Sequence, residues 1–176
     1  KGKSLLDAYS YTGGFGIAAA KAGARDVVCV DSSAPALALA EESAAANGIG
    51  NICKFFRNDV VAELERLIAL GEKFDIVVAD PPPFVKAKKD LEPGAKAYRK
   101  LARLAAQVTA PGGFLLLASC SHNISAERFG SECAAGIFRS GRKGALIHTS
   151  GAGGDHPVHP MLPESAYLKA LVYALD

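Results

Sequence analysis

The stretch Ser4-Leu-Leu-Asp-Ala-Tyr-Ser-Tyr-Thr-Gly-Gly-Phe-Gly16 decides how the rest of the chain is read. A short apolar run ends in the glycine-rich turn Thr12-Gly13-Gly14-Phe15-Gly16, and an alanine-rich helical segment follows. Strand, glycine turn and helix in that order let a backbone approach a nucleotide-like ligand closely, because glycine puts no Cβ in the way. The glycines fall as G-G-x-G, whereas the dinucleotide fingerprint needs G-x-G-x-x-G, so a nicotinamide cofactor is disfavoured.

Outward from this turn, short apolar runs alternate with longer helical ones, the pattern of an α/β fold with a mostly parallel sheet covered by helices. Strands are expected at 4–9, 26–31, 52–57, 74–79, 114–119, 145–149 and 167–174. Most lack polar alternation, as strands buried on both faces do. The helices are well punctuated. Ser32 or Ser33 can cap one that carries Pro35 in its first turn and stops at Asn47-Gly48. Asp59 precedes a second, whose Val60, Leu64, Leu67 and Ile68 recur at helical spacing before Gly71. A third carries Tyr98, Leu101, Leu104, Ala105 and Val108 and breaks at Pro111-Gly112-Gly113, and Ser125 can cap a fourth through Phe129, Cys133 and Ile137. The Gly-, Pro- and His-rich segment 150–164 reads as a long loop.

Composition narrows the functional classes. A chain of 176 residues, 49% hydrophobic and 22% charged, is sized for one folded domain. No apolar run nears the roughly 20 residues that cross a bilayer, and no signal-peptide layout precedes the first strand, so a cytoplasmic location is expected and no membrane partner. The four cysteines, Cys29, Cys53, Cys120 and Cys133, form no C-x-x-C pair and read as separate thiols in a reducing compartment. His156 and His159 flank Pro157-Val158 without an evident third ligand, so no metal is expected. Net charge is only +2, but seven basic residues crowd positions 86–103 (Lys86, Lys88, Lys89, Lys96, Arg99, Lys100 and Arg103) against Asp90 and Glu92. A solvated helix face would explain this; a polyanion contact explains it better beside the motifs that follow.

Three acidic or polar points converge on one sheet edge. The second strand ends at Asp31, about 20 residues beyond the glycine turn, where a carboxylate can accept from ribose hydroxyls. The third is followed by Asn58-Asp59, the fourth by Asp80-Pro81-Pro82-Pro83-Phe84. Asp59 also suits a plain helix cap. The prolines stiffen the exit from a buried strand, and Phe84 either stacks on a planar base or packs in the core. The fifth strand ends in Ser119-Cys120-Ser121-His122. Cys29, Cys53 and Cys133 read as inert packing, but Cys120 sits past a strand's carboxyl end among polar residues, facing the same crevice as Asp80.

Taken together, the run from Asp7 to Gly16, Asp31, Asp80-Pro-Pro-Pro-Phe-Val-Lys86 and Ser119-Cys-Ser121 resembles the large-subunit ribosomal RNA methyltransferase I family. Asp155-His-Pro-Val158 and Tyr167-Leu-Lys-Ala170 resemble that family's closing segment. The resemblance implies a Rossmann-like class I methyltransferase domain over 1–176, with sheet order 3-2-1-4-5-7-6 and an antiparallel last strand. It implies S-adenosylmethionine as cofactor and a cytosine of 23S rRNA as substrate, methylated at carbon 5. Tyr9, Ser10, Tyr11, Thr12, Gly13, Gly14 and Phe15 would wrap the methionine end, Asp31 and Ser32 the ribose, Asp59 and Val60 the adenine, with Asp80 a further cofactor contact. Asp80, Pro81, Phe84 and Lys86 would hold the base, and Cys120 would be the nucleophile. A thiol fits because its addition to carbon 6 makes carbon 5 nucleophilic, and cysteine is the side chain most reactive for that at neutral pH. The family's N-terminal RNA-binding region, a PUA-like domain and linker, has no counterpart here, so the chain reads as the catalytic part of a longer protein. Two other readings stand: methyl transfer to a base nitrogen without covalent help, and a non-catalytic RNA- or nucleotide-binding module.

Overall fold

Buried β-branched and leucine residues fix the order in which the strands associate. The computed structural model describes residues 1–154 and 156–176; Asp155, part of the closing segment quoted above, lies outside the described residues. The elements are β1 (Ser4–Ala8), α1 (Gly14–Lys21), β2 (Asp26–Asp31), α2 (Ala34–Ala46), β3 (Cys53–Arg57), α3 (Val60–Ala69), β4 (Phe74–Ala79), α4 (Leu91–Val108), β5 (Thr109–Ser119), α5 (Ala126–Arg139), β6 (Gly144–Ser150) and β7 (Lys169–Leu175). The sheet runs β3-β2-β1-β4-β5-β7-β6. Only β7 runs against its neighbours β5 and β6. The expected architecture is therefore the observed one.

Alternate residues feed two layers. Leu6, Val28, Val77 and Leu115 point into the core shared with α3, α4 and α5. Leu5, Val27, Cys29 and Val78 face the other way, against Ala20 of α1 and Ala44 of α2. The expected caps form: Ser33 Oγ accepts from Ala36 N (3.4 Å), Asp59 Oδ1 from Ala62 N (2.9 Å) and Ser125 Oγ from Arg128 N (3.1 Å). No helix among the described residues is long and apolar enough to cross a membrane.

Three expectations need correction. β1 stops at Ala8, because Tyr9 turns to a left-handed φ of 64° and leaves the ladder. β5 begins at Thr109, not Phe114. Helix α4 does end before Pro111-Gly112-Gly113, but Thr109 already pairs with Phe74, and the glycines bulge out before pairing resumes at Phe114 opposite Ile76. Burial on both faces holds only for the inner strands: every residue of the edge strand β6 is exposed.

The chain winds outward from β1 to β3, then returns to place β4 on β1's other side. That reversal opens a crevice at the carboxyl ends of β1 and β4, where ligands of such sheets bind.

Candidate active site

The loop after β1 forms one wall of the crevice. Tyr9 and Tyr11 both hold positive φ, 64° and 49°, and Gly13 caps α1 at φ 77°. Two non-glycine residues in the left-handed region carry strain of order 1–3 kcal/mol each, so surrounding contacts must hold them. Asp31 does so from the end of β2: one carboxylate oxygen accepts Tyr11 N (2.9 Å), the other Ser33 N (2.8 Å). Ser10 N donates to Val30 O, and Gly13 N to Ser10 O. Beneath them, Asp7 Oδ2 accepts Gly16 N at 2.8 Å inside the protein. Asp7 is 1% exposed. Burial raises its pKa to about 6, with Asp80 and Asp31 adding to the rise against the Gly16 bond. Gly16 is required by close approach: a Cβ there would lie 2.5 Å from Cys29 Sγ.

Several features of this loop fit a bound nucleoside-like cofactor. Ser10 Oγ is buried without a hydrogen-bond partner, the one such side-chain atom among the described residues. Tyr11 on the loop and Gly14 and Phe15 at the start of α1 are exposed, and nothing lies within 4 Å of where a Gly14 Cβ would be. Asp31 retains lone pairs beyond those used by the two amides, and Ser32 is exposed beside it. Asp59 caps α3 and lies near enough to Tyr9 to help burial push that phenol up to about 12. Val60, the other residue expected at the adenine, is buried in the core.

The opposite wall is built from the ends of β4 and β5. Asp80 is half-buried, its carboxyl raised by desolvation, and its amide meets Ala8 O at 3.4 Å. Pro81 is buried, and its carbonyl lies 3.9 Å from Cys120 Sγ. Cys120 is partly exposed, whereas Cys29, Cys53 and Cys133 are buried. Burial and then the Asp80 charge push the Cys120 thiol up, while Lys169 pulls it down. Phe84 is half-buried, its ring 4.7 Å from that of Tyr98 and 6.4 Å from that of Tyr9. It is thus neither free nor lost in the core. Lys86 is exposed at the rim, its carbonyl held by Asn123 Nδ2 (3.0 Å).

Sequence reasoning missed what fixes this wall. Helical periodicity marks Tyr98 only as an apolar helix position, yet its hydroxyl accepts from Ser119 Oγ (2.8 Å) and bonds Ser121 Oγ (2.8 Å). Ser121 Oγ accepts Val85 N (3.2 Å), and Phe84 N reaches the Tyr98 hydroxyl (3.5 Å). One phenol therefore ties the proline turn to both residues flanking Cys120. Lys169 Nζ donates to Ser121 O (2.7 Å) and Ile124 O (3.0 Å) from the far side. A signal existed only for Asp7, a carboxylate inside an apolar strand.

The sequence model of the S-adenosylmethionine-dependent methyltransferases matches residues 1–174. The chain belongs to that family. S-adenosylmethionine is its cofactor. The chain is also 40% identical, over 97% of its length and 43% of the relative's, to the "Ribosomal RNA large subunit methyltransferase I" of Aeromonas salmonicida. It is 39% identical to the protein of that name from Aeromonas hydrophila, over 98% of this chain and 44% of the relative. The expected resemblance thus stands, with the chain spanning less than half the length of these relatives. Among solved structures, the fold is shared with SMU.776 in complex with SAH: TM-score 0.86, 24% identity, 98% of this chain and 45% of that one. It is shared more loosely with the SAM-dependent methyltransferase from Agrobacterium tumefaciens: TM-score 0.69, 19% identity, 99% and 56% coverage.

Proposed function

We propose that this chain is the catalytic domain of a ribosomal RNA methyltransferase that makes 5-methylcytosine in the cytoplasm, using Cys120 as a covalent nucleophile. The observation that carries the reading is the placement of Cys120 Sγ 3.9 Å from Pro81 O, within electrostatic reach of Asp80. The similarity to proteins named as large-subunit ribosomal RNA methyltransferases supports RNA as the substrate.

Bound S-adenosylmethionine supplies an electrophilic methyl group. The residues Tyr9 to Phe15 would hold its methionine end, Asp31 and Ser32 the ribose, and Asp59 and Val60 the adenine. A cytosine rests against Phe84 and Pro81 with its polar edge on Asp80, and Lys86 meets the RNA at the rim. In the resting protein the Cys120 thiol is protonated, because burial and Asp80 disfavour its charge. The raised pKa of Asp80 suits it to take the thiol proton and pass it to nitrogen 3 of the base. The sulfur then bonds to carbon 6, making carbon 5 nucleophilic toward the methyl group that the cofactor would supply, whose sulfonium sulfur would keep the electron pair of the broken bond. Loss of the carbon-5 proton to solvent then expels the thiolate from carbon 6, and the nitrogen-3 proton returns through Asp80 to the sulfur, restoring the thiol and releasing 5-methylcytosine. The Lys169 ammonium, bonded to Ser121 O and Ile124 O, favours the thiolate stage.

The test is incubation with labelled S-adenosylmethionine and unmodified 23S rRNA, followed by nucleoside analysis. Label is expected in 5-methylcytosine, and Cys120→Ala is expected to lose at least about 10³-fold in turnover while still binding cofactor. Label in an N-methylated nucleoside, with turnover kept by Cys120→Ala, would replace this reading by the non-covalent one.

A further inference from the structure

Away from the crevice, α4 and α5 enclose a groove of about 350 Å³ lined by Lys96, Arg99, Lys100, Arg103 and Arg139. Every lining residue is a cation. The first four fall at i, i+3, i+4 and i+7, one stripe of α4 opposite its buried Tyr98, Leu101 and Leu104. Arg139 arrives from the last turn of α5. The two helices meet closely because residue 136 is glycine: a Cβ there would lie 2.5 Å from Arg99 O.

The charges are only partly compensated. Arg99 pairs with the buried Glu132 (2.5 Å) and Lys100 with Glu65 (3.1 Å). Lys96, Arg103 and Arg139 have no ion pair among the described residues. Three unpaired like charges around one groove repel each other, an arrangement that an anionic ligand relieves.

We propose that this groove binds the sugar–phosphate backbone of the RNA outside the target nucleotide, independently of its sequence. The inference rests on the RNA reading above and adds a contact surface to it. Direction favours it: α4 starts against the proline turn, where a Cβ on Gly94 would lie 2.6 Å from Phe84 O. From Lys96 to Arg103 the stripe then runs about 10 Å away from the crevice. A strand with one base in the crevice can continue along it. The lining favours phosphate over protein, because a protein partner's site has an apolar or aromatic centre and this one has none. Lysine and arginine heads meet phosphate oxygens readily, and such contacts carry no sequence information.

The experiment is fluorescence anisotropy of wild type and the triple variant K96Q/R103Q/R139Q with a labelled single-stranded RNA, between 50 and 200 mM salt. These three residues are chosen because their loss strands no carboxylate. The variant is expected to melt with wild type and bind S-adenosylmethionine equally, but to bind RNA about tenfold or more weakly at the lowest salt. Its log–log salt slope should be shallower by about 2, the value for three lost single-strand phosphate contacts. Equal affinity and slope in the two proteins would overturn the proposal. So would polyglutamate binding that the variant loses while keeping its RNA affinity, which would assign the groove to an acidic protein. A wild-type chain that binds no RNA at any salt would overturn both this inference and the RNA reading. Full turnover by Cys120→Ala would sink only the covalent mechanism, since that variant leaves the groove intact.

Discussion

The two walls of the crevice are held by different chemistry. The β1 wall is pinned by carboxylates: Asp7 takes Gly16 N, and Asp31 takes Tyr11 N and Ser33 N. The β4–β5 wall is pinned by hydroxyls, with Tyr98, Ser119 and Ser121 joined to each other and to the backbone of Phe84 and Val85. An ionised acceptor makes stronger bonds to amides and can hold a strained loop, but burying it is costly and sensitive to pH. Hydroxyls do not titrate near neutrality. They position Cys120 without adding charge beside it, so its thiol answers mainly to burial, Asp80 and Lys169.

The largest stability effect that would break this contrast is at Asp7. Its pKa in the folded protein, about 6, exceeds the ordinary 3.8, so the folded state holds the proton more tightly. The stability this confers is complete below about pH 4 and is lost as pH rises through about 6. Asp7→Asn keeps an acceptor for Gly16 N without the charge. It is expected to flatten that slope and to stabilise the protein at pH 7 by at most about 3 kcal/mol, checked by urea unfolding at several pH values. An unchanged slope would mean the first wall does not carry the pH dependence assigned to it.

Gly16→Ala comes next. Its Cβ would sit 2.5 Å from Cys29 Sγ, 3.1 Å from Val27 Cγ1 and 3.3 Å from Asp7 Oδ2, too close on three sides. A loss of about 1–3 kcal/mol is expected, with weaker S-adenosylmethionine binding by calorimetry. Tyr98→Phe should cost least, about 1–2 kcal/mol, because the ring stays and only hydroxyl bonds go. Its signature is selective: kcat should fall while cofactor affinity holds. A Tyr98→Phe protein that loses cofactor affinity in step with kcat would show that the walls are one unit.

What could be read in advance divides by range. Strand runs, the glycine turn and the caps at Ser33, Asp59 and Ser125 are local, settled within a few residues of one another, and were legible. Asp31, Asp80 and Cys120 were legible as well, because each stands at the end of an apolar run on the same edge of the sheet. Two of the misreadings lay where pairing depends on a distant strand: the early start of β5 is set by Phe74, and the exposure of β6 by its place at the edge. Tyr98 looked like any core aromatic, since helical periodicity reports that a side chain points inward and not what its hydroxyl will meet.

The sequence by itself determined the order and kind of the elements, the glycine turn after β1 and the residues that stand at the strand ends, because these follow from short-range sterics, periodicity and chain order. Only the tertiary structure decided which partners they have. It put Asp7 under Gly16, joined Tyr98 to serines more than twenty positions away, and brought Arg139 to the cation stripe of α4. Such contacts depend on how helices pack across a sheet, and packing is a property of the whole assembled core rather than of any segment within it.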